Sequence, residues 1–419
     1  MNVGSKEMST NVLFVTWDGP GSSYLESLFL PIFKLLAQRG VVFHIVQFTW
    51  ADKSELHALK NILEEHGITY QPVSVLRHPL SAGSLVTTFF GARHIRRAIK
   101  TLAIDIVMPR STLPAMASIL ALKSYPDVGL LFDADGLPHD ERVDFAGMSP
   151  YSIAYRLLRD FEALAVRRAD AVLTRSRKAI DILVARGGAG VNPGKFQVVT
   201  NGRDEKLFKP ALQDERSEVR HALGIDVDAP LLVYIGSSMQ GKYCGQEIFE
   251  FFKAVHAYRH AARLLLLTSS MGEADLLLKE FEELRPFCHV KYLPPENVPR
   301  YLGACDLGLV LIHPKFSMKA VAAIKLGEYL LCGIPVLASS GIGDSDKLIT
   351  DGVGYSLPTM LPEELAAAAN WFLKTVLPDR EGFRQRSRDS GLKYFALEAS
   401  VDVYDNAIKS IGNRMEMRR

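Results

Sequence analysis

Val12 to Leu36 reads VLFVTWDGPGSSYLESLFLPIFKLL. A short apolar run rich in β-branched residues leads into a turn segment built on Gly19, Pro20 and Gly21. Apolar residues then recur at Leu28, Ile32, Leu35 and Leu36, the spacing of one helix face. Strand, glycine loop and helix in that order form the repeating unit of a parallel sheet, and the order recurs along the chain. VVFHIVQF (41–48) precedes a helical pattern ending near Gly67, and IDIVMP (104–109) precedes a helix from Leu113. GLLFDA (129–134) and ADAVLTRS (169–176) follow, the latter ahead of a helix over Lys178 to Arg186. Short apolar strands alternating with helices predict a sheet covered on both faces.

The pattern pauses in TNGRDEKLFKPALQDERSEVRHALG (200–224), a polar stretch with the turn dipeptide Asn201-Gly202, and then resumes. PLLVYIGSS (230–238), ARLLLLTSS (262–270), CHVKYLPP (288–295), CDLGLVLIHP (305–314) and GIPVLASS (333–340) read as a second set of strands. The expected architecture is α/β: two tandem Rossmann-like, doubly wound parallel-sheet domains facing a cleft. The boundaries read 10–205, 206–395 and a C-terminal helix over 396–412 that packs back on the first domain. Ligands of such sheets bind beyond the carboxyl ends of the strands.

Composition narrows the class. At 419 residues the chain exceeds one ordinary core, and 48% hydrophobic with 23% charged residues describes a packed globular protein. A net charge of +2 is too mild to imply a nucleic-acid partner, which needs a concentrated basic face, so local clusters matter more than the total. Cys244, Cys288, Cys305 and Cys332 lack metal-ligand spacing and read as reduced core thiols, so neither a metal nor a cofactor is expected and the location reads as cytoplasmic. No signal peptide or membrane-spanning run is apparent.

KLGEYLLCGIPVLASSGIGD (325–344) places Lys325 and Glu328 three residues apart on one helix, with Gly333 ending that helix ahead of a strand. On spacing alone this is as readily a surface ion pair. The stretch resembles the donor helix K-x-x-E-Y-L-x-x-G-x-P-V of family 4 retaining glycosyltransferases of the GT-B fold. That resemblance implies a nucleotide-sugar donor, transfer with retention and no metal. It makes Glu328 a ligand of the donor ribose and Lys325 a neighbour of the diphosphate. Relatives carry a second glutamate where this chain has Ala320, which leaves backbone groups of residues 317–321 to meet the sugar.

The resemblance continues elsewhere. Gly236, Ser237 and Ser238 close a strand where backbone N–H groups and Lys242 can hold a pyrophosphate. Tyr292 begins the loop expected to select the base. Gly19, Gly21 and Ser22 form a cleft loop, and Tyr24 in place of a third glycine argues against a dinucleotide fingerprint. FDADGLPHDERVDFAGMSP (132–150) resembles a family segment in which Asp133, Asp135, His139, Asp140, Glu141 and Arg142 meet the acceptor. VVTNGRDEKLF (198–208) matches another landmark, with Arg203 replacing valine on the acceptor side. Asp133, His139, Lys242 and Lys325 are the candidate catalytic groups.

FFGARHIRRAIK (89–100) aligns Arg93, Arg96, Arg97 and Lys100 on a helix whose other face carries Phe89, Ile95 and Ile99. This is either a solvated basic face or a peripheral contact with anionic membrane at its inner surface, suited to a glycan or lipid-linked acceptor. Two rivals share the architecture: a nucleotide-sugar 2-epimerase, and a catalytically silent subunit that partners another transferase.

Overall fold

In the computed structural model, which describes residues 9–77, 80–349 and 352–417, the chain divides into two units. The first comprises Met1–Val199 with Ser400–Arg419, and the second Thr200–Ala399. The first sheet contains β1 (Thr10–Asp18), β2 (Val41–Thr49), β3 (Thr69–Ser74), β4 (Ile106–Pro109), β5 (Gly129–Asp133), β6 (Ala171–Thr174) and β7 (Phe196–Val198). The second contains β8 (Leu231–Ile235), β9 (Arg263–Leu267), β10 (Cys288–Lys291), β11 (Leu307–Val310), β12 (Val336–Ser339) and β13 (Gly354–Leu357). Their orders are β3-β2-β1-β4-β5-β6-β7 and β10-β9-β8-β11-β12-β13. Every pairing is parallel.

In both sheets the strand order reverses beside the first strand, between β1 and β4 and between β8 and β11. Helices from the two directions leave opposite faces at that point, so a crevice opens at the carboxyl ends. The cores are apolar and separate. Leu13, Val15, Phe48, Ile95, Ile99 and Val107 belong to the first, and Leu232, Phe249, Phe252, Leu264, Leu309 and Leu337 to the second.

The units divide at Val199/Thr200 rather than at 205/206. The Thr200 hydroxyl donates to the Tyr394 carbonyl (2.7 Å), and Arg203 N–H donates to the Phe395 carbonyl (2.9 Å). These bonds attach the Asn201-Gly202 turn to the end of the Arg380–Phe395 helix, inside the second unit. The last helix, Leu397–Glu416, joins the first unit from Ser400 onward, with Ile411 against Gly129 of β5.

The polar stretch that marks the boundary in sequence holds a helix, Gln213–Ala222, whose Arg216 and Arg220 point inward. Both bind the buried Asp306 carboxylate, at 2.6 and 2.8 Å. Charge on a buried face is what disguised this helix as a linker.

The basic stretch lies on the Leu80–Thr101 helix. Ile95 and Ile99 face the core as expected, but Phe89 is exposed along with Phe90. Arg96 donates to the Leu120 carbonyl (3.0 Å), at the end of the Thr112–Leu122 helix.

Candidate functional site

In the second unit the Ile324–Leu331 helix is buried from Lys325 through Leu331. Its geometry has local causes. Gly333 adopts φ +72°, its N–H donating to the Leu330 carbonyl while Ile334 N–H donates to Tyr329, which closes the helix in a Schellman-type turn. Tyr329 lays its ring over Gly308 of β11, where a Cβ would stand 2.3 Å from the ring. Its hydroxyl accepts from Ile235 N–H (2.9 Å) at the carboxyl end of β8. Gly391 meets the Leu330–Leu331 backbone from the other side, leaving no room for a side chain. The helix is therefore fixed against the strand whose end opens into the Gly236 loop.

Those contacts aim two charges. Glu328 receives Arg203 at 2.9 Å. Burial pushes the Glu328 carboxyl upward, against the pull of Arg203 and Lys325. Lys325 Nζ lies 4.0 Å above the Tyr234 ring centroid and 4.7 Å from that of Tyr243. A Cβ on Gly236 would stand 3.1 Å from it. Among the described residues this buried ammonium has no hydrogen-bond partner. Burial lowers its pKa to about 7; Glu328 opposes that shift and the nearby Lys242 adds to it. A buried cation that rests on aromatic faces without a hydrogen-bond partner, and is repelled by a second lysine, is stabilised by an anion that reaches both.

Two expectations for this unit need correction. The Gly236 N–H donates to the Leu267 carbonyl (3.0 Å), and Met239 N–H donates to Glu273 (2.7 Å). Ser238 Oγ donates to the same carboxylate (2.9 Å), while Ser270 Oγ donates to the Ser237 carbonyl (2.6 Å). The loop is thus held largely by its own neighbours, and positive charge at this end comes from the lysines. Arg203, read as a residue of the first domain, belongs to the second unit with Glu328, because its backbone is pinned to Phe395 and its guanidinium to Glu328. The cysteines are free, as read, but folding brings Cys244, Glu247 and His313 within 4.8 Å of one another, a grouping that spacing did not reveal. Tyr292 is exposed just after β10, and Ala320 is fully buried.

In the first unit, Asp133 and Asp140 are interior pins. Asp133 is 0% exposed, accepting from Arg175 at 2.8 Å and from the Tyr404 hydroxyl at 3.3 Å. Asp135, at φ +48° in the loop after β5, pairs with Arg110 at 2.7 Å. Asp140 accepts from the Tyr155 hydroxyl and from Arg186, each at 2.7 Å, and Arg186 also holds Glu162. The strand-end position that suggested acceptor contact instead places Asp133 and Asp140 between elements. Glu141 is half-buried on the same helix, Pro138–Phe145.

At the carboxyl ends of the strands of the first unit lies a cavity of about 370 Å³. Trp17 of β1, Trp50 after β2, Arg77 after β3, Ser111 after β4, and His139 and Arg142 after β5 line it. Gly19 backs the Trp50 ring, leaving no room for a Cβ, Gly21 turns at φ +70°, and Ser22 N–H closes the turn on Gly19 at 3.4 Å. The tryptophans and Arg77 were not singled out in the sequence. Their signal was weak, since each is a lone residue just inside or beyond a strand end.

Glycosyltransferase Family 4 is the family whose sequence model matches, over residues 31–207. D-inositol 3-phosphate glycosyltransferase of Xylanimonas cellulosilytica is 28% identical over 202 residues, covering 46% of this chain and 45% of that protein. The match spans less than half the length of that curated relative. Among solved structures, Alr3699/HepE of Anabaena in complex with UDP aligns with a TM-score of 0.69 and 18% identity, over 96% of this chain and 100% of that one. A glycosyltransferase from Rickettsia africae aligns with a TM-score of 0.71 and 16% identity, over 96% and 98%. The fold is GT-B. The chain resembles Glycosyltransferase Family 4, matching its sequence model across much of the first unit.

Proposed function

We propose that this protein is a glycosyltransferase that moves a sugar from a nucleotide-sugar donor to an acceptor hydroxyl. The carrying observation is Lys325, a buried ammonium beside the Gly236 loop with a second lysine close by. It suits a leaving nucleoside diphosphate, whose growing charge is stabilised by preorganised cations. The bond from the anomeric carbon to the diphosphate breaks as the acceptor oxygen bonds to that carbon. The acceptor proton leaves with the diphosphate, and entry on the departing face gives retention. Lysines neutralising the diphosphate make a metal unnecessary in this reading. HepE crystallised with UDP supports a nucleotide-bound donor. Glu328, oriented by Arg203, is the ribose ligand.

The test incubates purified protein with a panel of nucleotide sugars and membrane extract in the presence of a chelator. Nucleoside diphosphate should be released in step with acceptor gain. Glu328→Ala should lower kcat/KM by about 100-fold, the cost of removing a charged hydrogen-bond acceptor and leaving Arg203 unpaired. Unchanged donor affinity and transfer in that variant sinks the reading. An epimerised donor without acceptor gain indicates the epimerase, and no turnover with any donor the silent subunit.

The acceptor in this reading is a glycan or lipid-linked molecule met at an anionic membrane surface. No helix among the described residues is long and apolar enough to cross a membrane. Exposed Phe89 and Phe90, followed by exposed Arg93, Arg97 and Lys100, offer a peripheral contact. Charge reversal at Arg93, Arg97 and Lys100 is expected to abolish sedimentation with anionic vesicles, and undiminished sedimentation removes this element.

A further inference from the structure

We propose that the cavity of the first unit is the acceptor subsite and that it takes an anionic amphiphile, an apolar chain joined to a phosphate-type group. The inference rests on the transferase reading and adds the chemistry of its acceptor.

Position is the first argument. The cavity sits at the carboxyl ends of β1 to β5, spanning the point between β1 and β4 where strand order reverses.

The lining is the second. Leu113, Pro114, Leu157 and Leu158 form an apolar wall together with the two indoles. No acidic or amide side chain lines the cavity among the described residues. A site for an oligosaccharide needs paired acceptors and donors for many hydroxyls. Here the charged groups are Arg77 and Arg142, and Arg77 stacks 4.4 Å from the Trp50 ring centroid. Guanidinium groups match the oxygens of a phosphate, and apolar walls match hydrocarbon.

The third argument is His139. It is 4% exposed, lines the cavity, and has no hydrogen-bond partner on either ring nitrogen among the described residues. Buried polar groups are normally satisfied, so an unpartnered imidazole facing a cavity marks where a ligand's polar atom belongs. Burial, with Arg142 adding to it, pushes its pKa down to about 4. The ring is therefore neutral at pH 7 and offers one donor and one acceptor, which suits a hydroxyl beside a phosphate oxygen.

The apolar character also continues outward. Leu157 lines the cavity and is 42% exposed, and Ile153, one turn earlier on the same helix, is 75% exposed. Phe89 is exposed one turn beyond the cavity-lining Leu85. A hydrocarbon chain longer than the cavity would find apolar surface past its mouth.

The test uses the whole protein and tryptophan emission, since Trp17 and Trp50 line the cavity. Dodecyl phosphate, dodecyl maltoside and inorganic phosphate are titrated below micelle formation. Dodecyl phosphate should bind saturably, at least about tenfold tighter than either other probe. Ala154→Phe, which fills the mouth, and Arg77→Glu should each weaken it about tenfold or more. Binding to a panel of UDP, ADP and GDP, read by thermal shift, reports whether the second unit remains folded. Equal affinity for the maltoside or for phosphate alone overturns the inference, as does full binding by Ala154→Phe. If a nucleoside diphosphate binds and dodecyl phosphate does not, the inference falls while the transferase reading stands. If dodecyl phosphate binds and no nucleotide or nucleotide sugar does, the transferase reading falls and the acceptor assignment with it.

Discussion

Replacing Lys325 with methionine is expected to raise the Kd for nucleoside diphosphate by about 100-fold or more while leaving the fold intact, because a desolvated charge-assisted contact disappears. The buried ammonium is costly to the free protein, since aromatic rings and a neighbouring lysine are poor substitutes for water. An apolar side chain of similar length removes that cost, so the variant should be more stable than the parent at low pH.

The pH dependence follows from the same group. Its folded pKa of about 7 lies below the ordinary 10.5. Between those values the unfolded chain binds more protons than the folded one, so stability rises with pH across that window. The free protein reaches its full gain near the upper value, and the penalty is fully present below about 7. A bound diphosphate holds Lys325 protonated. Binding should therefore take up a proton above pH 7 and weaken as pH climbs. Calorimetry in buffers of different ionisation enthalpy reads this uptake, which the methionine variant should lack. Equal diphosphate affinity in that variant overturns the assignment.

The second large effect is expected at Asp133→Ala, and it is structural. The substitution would leave Arg175, itself 5% exposed, without its closest carboxylate, and Tyr404 without its acceptor. Breaking a buried pair in this way costs about 3–5 kcal/mol. For a unit of this size the melting temperature should fall by roughly 10 °C. Tyr404 lies on the last helix, Leu397–Glu416, so proteolysis in that helix should quicken as well. Nucleoside diphosphate affinity, which the proposed function assigns to the second unit, should not change. A variant that melts normally but has lost turnover would restore Asp133 as a group that touches substrate.

Much of the fold is legible in sequence because its signals are local. β1, β2, β4 and β5 in the first sheet and β8, β9, β11 and β12 in the second are apolar runs followed by turns and helical spacing, and each sheet was read from its own set. The unread strands, β3, β7 and β13, all lie at sheet edges. β3 alternates buried and exposed positions and contains Pro72, which an edge tolerates and a central strand does not. The order Lys325, Glu328, Tyr329 and Gly333 was legible for the same reason, since helix, turn and strand follow from residues a few positions apart.

Partners separated by long stretches of chain are another matter. The pairing of Arg203 with Glu328 spans 125 residues, and that of Asp133 with Tyr404 spans 271. No local pattern distinguishes such a buried carboxylate from one that meets substrate. The sequence by itself determined two doubly wound sheets and a helix carrying a lysine and a glutamate ahead of a glycine. Only the tertiary structure decided that Lys325 is desolvated against two tyrosines, that Asp133 and Asp140 are pins, and that two tryptophans and His139 share a cavity. Burial and charge pairing arise when distant strand ends converge, and that convergence is a property of the assembled sheet.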